Sequence, residues 1–290
     1  MMIEQLTIIG VGLIGGSFAR ALRQAGKIKK IVGCGRNTPN LEKGVELGVI
    51  DEFHLDIPSA VKDADVIFIS TPVNSFENIF QQLKGHIKDT AIITDGGSTK
   101  GNIVAAAKKV FGQVPIHFVP GHPIAGTENS GVEASFAELY IDHKIILTPL
   151  LDTDKDALEI VTGLWHSCGA EVVLMDVEHH DLVLGATSHL PHLLAFSLVN
   201  TLATVDDKKE IFDYAAGGFK DFTRIASSDP VMWQDICLAN KAVLLEHLEH
   251  FQTDLDSLTQ ALENDDASYI RNIFSRAKNT RDQFMSKKET

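Results

Sequence analysis

The feature that most constrains the fold is a glycine-rich turn near the N-terminus. Residues 6–9 are Leu-Thr-Ile-Ile, and glycines follow with the spacing Gly-X-Gly-X-X-Gly before a helix-like segment. In a dinucleotide-binding βαβ unit such glycines permit a tight turn, a close approach to a pyrophosphate, and close packing of helix on strand. The first N–H groups of the helix would bind that pyrophosphate. A turn that binds nothing is the alternative; the predicted cofactor residues are Gly10, Gly12, Leu13, Ile14 and Gly15.

The end of the second predicted strand, residues 30–34, bears on the choice between NAD and NADP. NAD-binding chains usually place Asp or Glu there, about 20 residues after the loop, to bind the ribose 2′-hydroxyl. Here Gly35 occupies that place and Arg36 follows. A guanidinium can bind a 2′-phosphate, and the next helix, predicted to have Thr38 as N-cap and Pro39 as first residue, would favour it too. We therefore expect NADP, with NAD possible; the alternative for Arg36 is stacking on the adenine.

The 290 residues are more than one domain usually needs, so two domains are expected. In the first part short β-branched runs alternate with helix-like segments, which is typical of a parallel α/β sheet, whereas the remainder has apolar residues at helical spacing. We predict an α/β Rossmann-type dinucleotide-binding domain over residues 1–175 and an all-α domain over 176–290. Predicted strands cover residues 6–9, 30–34, 66–70, 91–94, 117–119, 145–148 and 171–175.

The helical part carries more apolar side chains than one thin layer of helices can bury. In the first part of the chain, helices are predicted over residues 17–25, 41–47 and 103–110. In the helical part they are predicted from Val177 onward and over residues 231–262 and 267–285. Association of two copies about a two-fold axis would bury the excess, so we expect a homodimer formed through this domain. The apolar residues concerned are Met232, Trp233, Ile236, Val243, Leu244, Leu248 and Phe251.

Composition excludes several classes of function. With 26 basic and 39 acidic residues the formal net charge is −13, which disfavours binding to nucleic acid and to anionic membranes. No apolar run near the length of a membrane span and no signal peptide is evident. The three cysteines are widely spaced and odd in number, which argues for a reducing compartment. The expected location is the cytoplasm.

Polar clusters follow the predicted strands. Asp-Gly-Gly-Ser-Thr-Lys-Gly occupies residues 95–101, and Pro-Gly-His-Pro-Ile-Ala-Gly-Thr-Glu occupies 120–128. Ligands of open α/β sheets bind beyond the carboxyl ends of the strands, so both clusters, which are predicted to be loops, should border the nicotinamide. Thr71 and Pro72, after the strand at 66–70, are assigned to the cofactor site as well. The helical part adds Ser-His-Leu-Pro-His at 188–192 and Gly-Gly-Phe-Lys-Asp-Phe-Thr-Arg at 217–224.

In this order, the glycine loop and these motifs resemble the prephenate/cyclohexadienyl dehydrogenase family. The resemblance extends from about residue 6 to beyond Trp233, which is most of the chain. It implies a homodimer with an N-terminal Rossmann domain and a helical domain for dimerisation and part of the substrate site. It also implies NAD(P)-dependent oxidation and decarboxylation of prephenate or arogenate on the way to tyrosine.

The resemblance implies individual roles. His122 corresponds to the histidine that hydrogen-bonds the C4 hydroxyl of the substrate, and Ser98 to a serine beside that histidine and the nicotinamide. Arg224 corresponds to the arginine that binds the ring carboxylate. The remaining residues assigned to the substrate pocket are His192, His189, Glu128 and Asp181.

The chemistry suits these residue types. Oxidation of a secondary alcohol sends a hydride to the cofactor and the hydroxyl proton to a base, and a histidine titrates near neutrality. An arginine holds a carboxylate in a fixed geometry, and loss of CO2 from prephenate leaves an aromatic ring. No metal is required.

Each assignment has a structural alternative. Ser98 could be the N-cap of a helix beginning at Thr99, and Arg224 could form an ordinary ion pair. His189 and His192, three residues apart, could share a helix face as a metal pair, although no third ligand is evident. The other helical histidines are interpreted as surface residues, namely His179, His180, His247 and His250.

Two rival functions remain open. A 3-hydroxy-acid dehydrogenase of similar architecture would use a lysine of the helical domain, for which Lys220 or Lys241 is the candidate. A non-catalytic NADP-binding regulatory protein could keep the same fold. In that case His122 and Arg224 would have no reason to face the nicotinamide.

Overall fold

A computed structural model describes residues 2–205 and 208–286 of the chain. Within these residues the main sheet has six parallel strands in the order β3-β2-β1-β4-β5-β6. The strands are β1 (Ile3–Ile9), β2 (Ile28–Cys34), β3 (Glu52–His54), β4 (Val66–Ile69), β5 (Ile92–Asp95) and β6 (Phe118–Val119). The strand order reverses between β1 and β4, and a crevice for a dinucleotide forms at such a switch point.

A second, smaller sheet follows the first. It comprises β7 (Gly121–Pro123), β8 (Lys144–Leu147) and β9 (Glu171–Leu174), with β7 antiparallel and β9 parallel to β8. Strands β3 and β7 were not predicted, because three-residue strands show too little alternation to be recognised. The prediction that His122 lies in a loop was wrong, since His122 is the central residue of β7 and pairs with Ile146.

Helices pack on the sheets and then form the rest of the chain. The predicted Rossmann-type domain followed by a helical domain is confirmed. The helices are α1 (Leu13–Gln24), α2 (Thr38–Glu46), α3 (Ile57–Val61), α4 (Phe76–Leu83), α5 (Gly101–Phe111), α6 (Lys155–Ser167), α7 (Val177–Leu184), α8 (Leu190–Ala203), α9 (Lys208–Asp213), α10 (Gly217–Thr223), α11 (Pro230–Ala239), α12 (Lys241–Glu263) and α13 (Ala267–Ser286).

Aromatic side chains fill the core between the main sheet and helices α1 and α6. Phe18 of α1 packs on Phe68 of β4 and on Trp165 of α6, with ring centroids 4.5 and 4.4 Å apart. Tyr140 packs edge-on against Trp165, and its hydroxyl donates a hydrogen bond to the carbonyl of Ile14. This packing anchors the helix that begins at the glycine loop.

Helices α7 and α8 are joined by a π-helical turn at Gly185–His189 and form one helix, Val177–Ala203. By length and composition alone this helix could cross a membrane, with a mean hydropathy of 1.5 over 18 residues, of which 22% are buried. The expectation that no apolar stretch approaches that length was wrong here.

The contacts divide the chain into two compact units, residues 1–241 and 242–290. The helix predicted over 231–262 is instead two helices, α11 and α12, because Asn240 leaves helical geometry with φ −107° and ψ 28°. Trp233 and Ile236 of α11 are buried in the core of the first unit. They are therefore not part of the apolar surface for which a partner chain was expected.

Candidate active site

The glycine loop between β1 and α1 is close-packed against the end of β4. Gly10 has φ +94°, and a Cβ there would lie 2.5 Å from the carbonyl oxygen of Ser70. A Cβ on Gly15 would lie 2.4 Å from the Ser70 hydroxyl oxygen, which donates a hydrogen bond to the Gly10 carbonyl. A side chain at either position would clash with Ser70, so only glycine fits there.

The same loop has the features that a dinucleotide pyrophosphate needs. No side chain caps the N-terminus of α1 at Gly12, and a Cβ built on Gly12 would have no atom within 4 Å. The first amides of the helix, at Leu13 and Ile14, therefore have no side-chain acceptor and can donate to a bound anion. Thr71, half-buried after β4, hydrogen-bonds the Ser75 hydroxyl, and Pro72 beside it is exposed. A dinucleotide fits this loop.

The two residues that follow β2, Gly35 and Arg36, include a positive charge and no carboxylate. Arg36 is exposed and forms no ion pair with any residue that the structure describes. The prediction that Thr38 caps α2 was wrong. Asn37 is the N-cap, because its side-chain oxygen accepts from the Asn40 amide, and Thr38 is the first helical residue.

A buried ion pair lies where β5 ends. The Asp95 carboxylate and the Lys100 ammonium are fully buried and in contact. Asp95 also accepts from the backbone N–H groups of Gly97 and Gly121, at 2.8 and 3.0 Å, and Lys100 donates to the Gly121 carbonyl at 2.6 Å. Burial lowers the pKa of Lys100, and Asp95 opposes that shift. The pair fixes the backbone that leads into β7, one residue before His122.

Helix α5 is capped by a side chain from α7. The Asp181 carboxylate accepts from the backbone N–H groups of Lys100 and Gly101, both at 2.8 Å. The predicted alternative, a Ser98 N-cap on a helix starting at Thr99, was wrong, since α5 begins at Gly101 and has no cap from its own sequence. Asp181 was predicted to be a residue of the substrate pocket. Its carboxylate hydrogen-bonds the N-terminus of α5 and the adjacent His180.

His180 connects this carboxylate to His122. The His180 Nδ1 atom lies 2.8 Å from Asp181 Oδ1, and its Nε2 atom lies 2.9 Å from His122 Nδ1. The expectation that His180 is a surface residue was wrong, because its side chain is fully buried. Of the other histidines so interpreted, His179 and His250 are exposed and His247 is half-buried.

The environment keeps His122 neutral. Its pKa lies well below the ordinary value, mainly because burial penalises the imidazolium and further because of the positive charges that His180, Lys100 and His189 can carry. The Nε2 atom of His122 forms no hydrogen bond within the described part of the chain. A neutral imidazole with one free nitrogen can accept a proton from a substrate hydroxyl.

The strand that carries His122 lies near the glycine loop. A Cβ built on Gly96, after β5, would lie 3.1 Å from the Ile14 side chain and 3.5 Å from the Pro123 ring. Ile14 belongs to the glycine loop and Pro123 follows His122, so the two elements meet over Gly96. Ser98, two residues further on, is half-buried.

His189 and His192 have different partners. Asn240, buried at the end of α11, places its side-chain nitrogen 3.1 Å from His189 Nδ1, and burial lowers the pKa of His189 to about 4. The ring of His192 stacks on Trp233, with centroids 3.6 Å apart. Burial lowers the pKa of His192 too, and the charge of Arg224 adds to that shift.

The remaining predicted substrate residues lie at the surface. Arg224, just after α10, is exposed and is near enough to His192 to affect its pKa. Glu128 is exposed in the segment after β7, and no described contact joins it to Arg224 or His122. Lys220 and Lys241, the candidates for a lysine-dependent reaction, are both exposed, whereas the buried lysine near His122 is Lys100.

Two family models match consecutive parts of the chain. The model described as "Prephenate dehydrogenase, nucleotide-binding domain" matches residues 18–174, and "Prephenate dehydrogenase, dimerization domain" matches residues 176–276. The chain belongs to the prephenate dehydrogenase family. The domain bounds predicted from the sequence, residues 1–175 and 176–290, stay predictions.

Individual members of this family are similar over almost the whole chain. A cyclohexadienyl dehydrogenase of Zymomonas mobilis is 37% identical, covering 96% of this chain and 95% of that protein. A prephenate dehydrogenase of Bacillus subtilis is also 37% identical, covering 97% of this chain and 76% of that one. The crystal structure of prephenate dehydrogenase from A. aeolicus with hydroxyphenyl propionate and NAD+ superposes with a TM-score of 0.90 at 40% identity, covering 98% and 99% of the two chains.

Sequence patterns did not reveal the site residues contributed by long-range contacts. His180 and Asn240 each matter through a partner distant in sequence, such as His122, 58 residues before His180. Lys100 pairs with Asp95, five residues before it, and with the Gly121 carbonyl. One available indication was the run of four polar residues at 178–181 inside an otherwise apolar helix, since polar groups in such a place need partners.

Proposed function

We propose that this protein catalyses the oxidative decarboxylation of prephenate with NADP+ as hydride acceptor. The observation that supports it most directly is the neutral His122, with a free Nε2 atom, on a strand near a glycine loop shaped for a dinucleotide. Membership of the prephenate dehydrogenase family narrows the substrate to a cyclohexadienyl alcohol that carries a ring carboxylate.

The reaction balances without an external acid or base. The bound cofactor supplies the hydride acceptor for C4 of the ring. His122 Nε2 takes the C4 hydroxyl proton, the bond to the ring carboxylate breaks as CO2 leaves, and its electron pair enters the ring. Prephenate carries two ionised carboxylates and 4-hydroxyphenylpyruvate one, so the charges balance with no net proton released. His122 therefore returns its proton to the phenolate oxygen that forms.

Arg224 is the proposed partner of the ring carboxylate. It forms no ion pair with described residues and lies near His192, whose stacking on Trp233 supplies a flat wall. A fork of guanidinium N–H groups would hold the carboxylate in line for departure of CO2. Ser98, His189 and Glu128 are proposed to line the same pocket, and Asp181 acts from behind it through its contacts with α5 and His180.

The test is an assay of cofactor reduction with prephenate and with arogenate, for the wild type and for His122→Asn. Asparagine keeps a polar side chain but accepts no proton near pH 7, so kcat should fall by about 10²–10⁴-fold with cofactor affinity unchanged. His143→Asn, an exposed histidine at the start of β8, is the matched control and should keep wild-type kcat. The proposal would be contradicted if the wild type turned over neither substrate, or if the His122→Asn enzyme were fully active.

The preference for NADP+ rests on the end of β2. Gly35 leaves no carboxylate to repel a 2′-phosphate, and Arg36 is an exposed cation without an ion pair among described residues, beside the N-terminus of α2. The A. aeolicus protein was crystallised with NAD+, so the choice needs its own measurement. We expect a higher kcat/KM for NADP+ than for NAD+, and equal values would contradict the assignment.

The proposed assembly is a homodimer formed by the helical domain. Residues 176–276 match the family's dimerization-domain model, and α12 and α13 expose apolar side chains: Leu245 is 62%, Leu262 68% and Phe274 61% exposed. Surfaces of this kind are typical of subunit interfaces. A dimer mass by light scattering at micromolar concentration is expected.

A further inference from the structure

The hydrogen bonds behind His122 determine which ring nitrogens carry protons. Asp181 is the terminal group of the chain Asp181–His180–His122, and its carboxylate accepts three N–H bonds: two from the α5 backbone and one from His180. Hydrogen bonding to the charged form, against the cost of burial, leaves the pKa of Asp181 below its ordinary value. The carboxylate is therefore an acceptor only.

From this end the proton positions follow one by one. His180 must carry its proton on Nδ1, because that atom faces Asp181 Oδ1 at 2.8 Å. A neutral imidazole has one N–H, so His180 Nε2 is bare and accepts from His122 Nδ1 across 2.9 Å. His122 then has its proton on Nδ1, and its Nε2 atom is the bare nitrogen. Free histidine favours the opposite tautomer.

We propose that His180 and Asp181 are positioning residues for the reaction, holding His122 in the tautomer whose Nε2 atom can accept the substrate proton. This inference rests on the proposed function, in which His122 is the base. Once His122 is protonated, its Nδ1–H still donates to His180, and the carboxylate at the end of the chain stabilises the imidazolium. The proton can thus be stored until the phenolate takes it back.

The other charged groups around the chain do not supply this function. Lys100 and Asp95 face His180 and form a buried ion pair with each other, so their charges largely cancel. His189 also faces His122, and burial keeps it neutral near pH 7. Asp181 is therefore the carboxylate in direct contact with the histidine pair.

The tautomer can be measured on the unmodified protein. In a sample with ¹⁵N-labelled histidine, ring nitrogen shifts distinguish an N–H from a bare nitrogen, and comparison with His122→Asn and His180→Gln assigns the two rings. We expect both rings, at neutral pH, to be protonated on Nδ1 and bare on Nε2. A His122 ring protonated on Nε2 would overturn the inference whatever the variants do.

Two substitutions of His180 separate positioning from packing. In His180→Gln the amide oxygen can accept from His122 Nδ1 and the amide N–H can donate to Asp181, so the tautomer is kept. In His180→Leu both bonds are lost, although an apolar side chain suits a buried site. We expect kcat within about tenfold of wild type for Gln and a loss of roughly 10²-fold or more for Leu, with the KM for prephenate little changed in both.

A purely structural role for His180 predicts the opposite order, with the leucine variant folded and as active as the glutamine variant or more so. His179→Leu, at the adjacent exposed position, is the control and should keep wild-type kcat. If His122→Asn is inactive while His180→Leu is folded with wild-type kcat, the positioning role fails and the proposed function stands. If His122→Asn is fully active, His122 is not the base and both fail.

Discussion

The buried pair of Asp95 and Lys100 allows a prediction with two independent readouts, based on Lys100→Met. Methionine keeps most of the lysine side chain and removes its charge. Asp95 then keeps its hydrogen bonds from Gly97 and Gly121 but loses its cation, while the Gly121 carbonyl loses the Lys100 donor at 2.6 Å. A charge without a counterion is left in a fully buried site.

The magnitude follows from that burial. Removing one partner of a buried ion pair costs about 3–5 kcal/mol, because the remaining charge is neither solvated nor paired. Adding Asp95→Asn should recover part of this loss, since no unpaired charge remains. Lys108→Met, at an exposed position on the same helix that forms no ion pair within the described residues, should cost less than about 1 kcal/mol.

The measurements are the free energy of unfolding in urea at one protein concentration and the pH dependence of kcat. Lys100 is one of the cations that lower the pKa of His122, after burial and His180. Its removal raises that pKa, so the acidic limb of kcat should move to higher pH. A Lys100→Met protein that loses less than about 1 kcal/mol and keeps the wild-type acidic limb would refute the reasoning.

Three further predictions concern the cofactor, the substrate and the assembly. Gly35→Asp should shift the ratio of the kcat/KM values for the two cofactors toward NAD+. A Cβ at this position meets only Leu41, at 3.7 Å, so the variant should fold normally and an unchanged ratio would contradict the prediction. Arg224→Lys should raise the KM for prephenate more than it lowers kcat, because the bidentate fork is lost, and an unchanged KM in Arg224→Ala would remove Arg224 from the site. Leu245→Asp should convert the dimer to monomer in light scattering, whereas the same change at Leu151, exposed outside the helical domain, should not.

Much of the fold follows from local patterns in the sequence. The glycine loop and the β-branched runs predicted the strands that form the core of both sheets, because parallel strands buried on both faces are almost continuously apolar. The break at Asn240 was not predictable in this way. The apolar spacing continues through it, and the residue leaves the helix to place its amide against His189 and the Asp181 carbonyl.

The residues of the candidate site also differ in whether local sequence patterns could predict them. His122 was predicted as a site residue because it follows a strand end within a recognisable motif, whereas His180 was interpreted as a surface residue from its place on a helix. Local spacing gives the face of a helix, but it does not tell which of its polar residues meets a partner 58 positions earlier. Distances were needed to connect the two histidines.

The cap that Asp181 places on α5 makes the nucleotide-binding half incomplete by itself. Residues 1–175 contain the dinucleotide loop and His122, but the acceptor for His122 Nδ1 and the cap of α5 are supplied by α7. An isolated fragment of that length would lack both. For chimaeric enzymes that exchange the helical half to change the substrate, the crossover point should therefore lie after Asp181 rather than at the family-model border, so that His122, its partner His180 and the cap of α5 are inherited together.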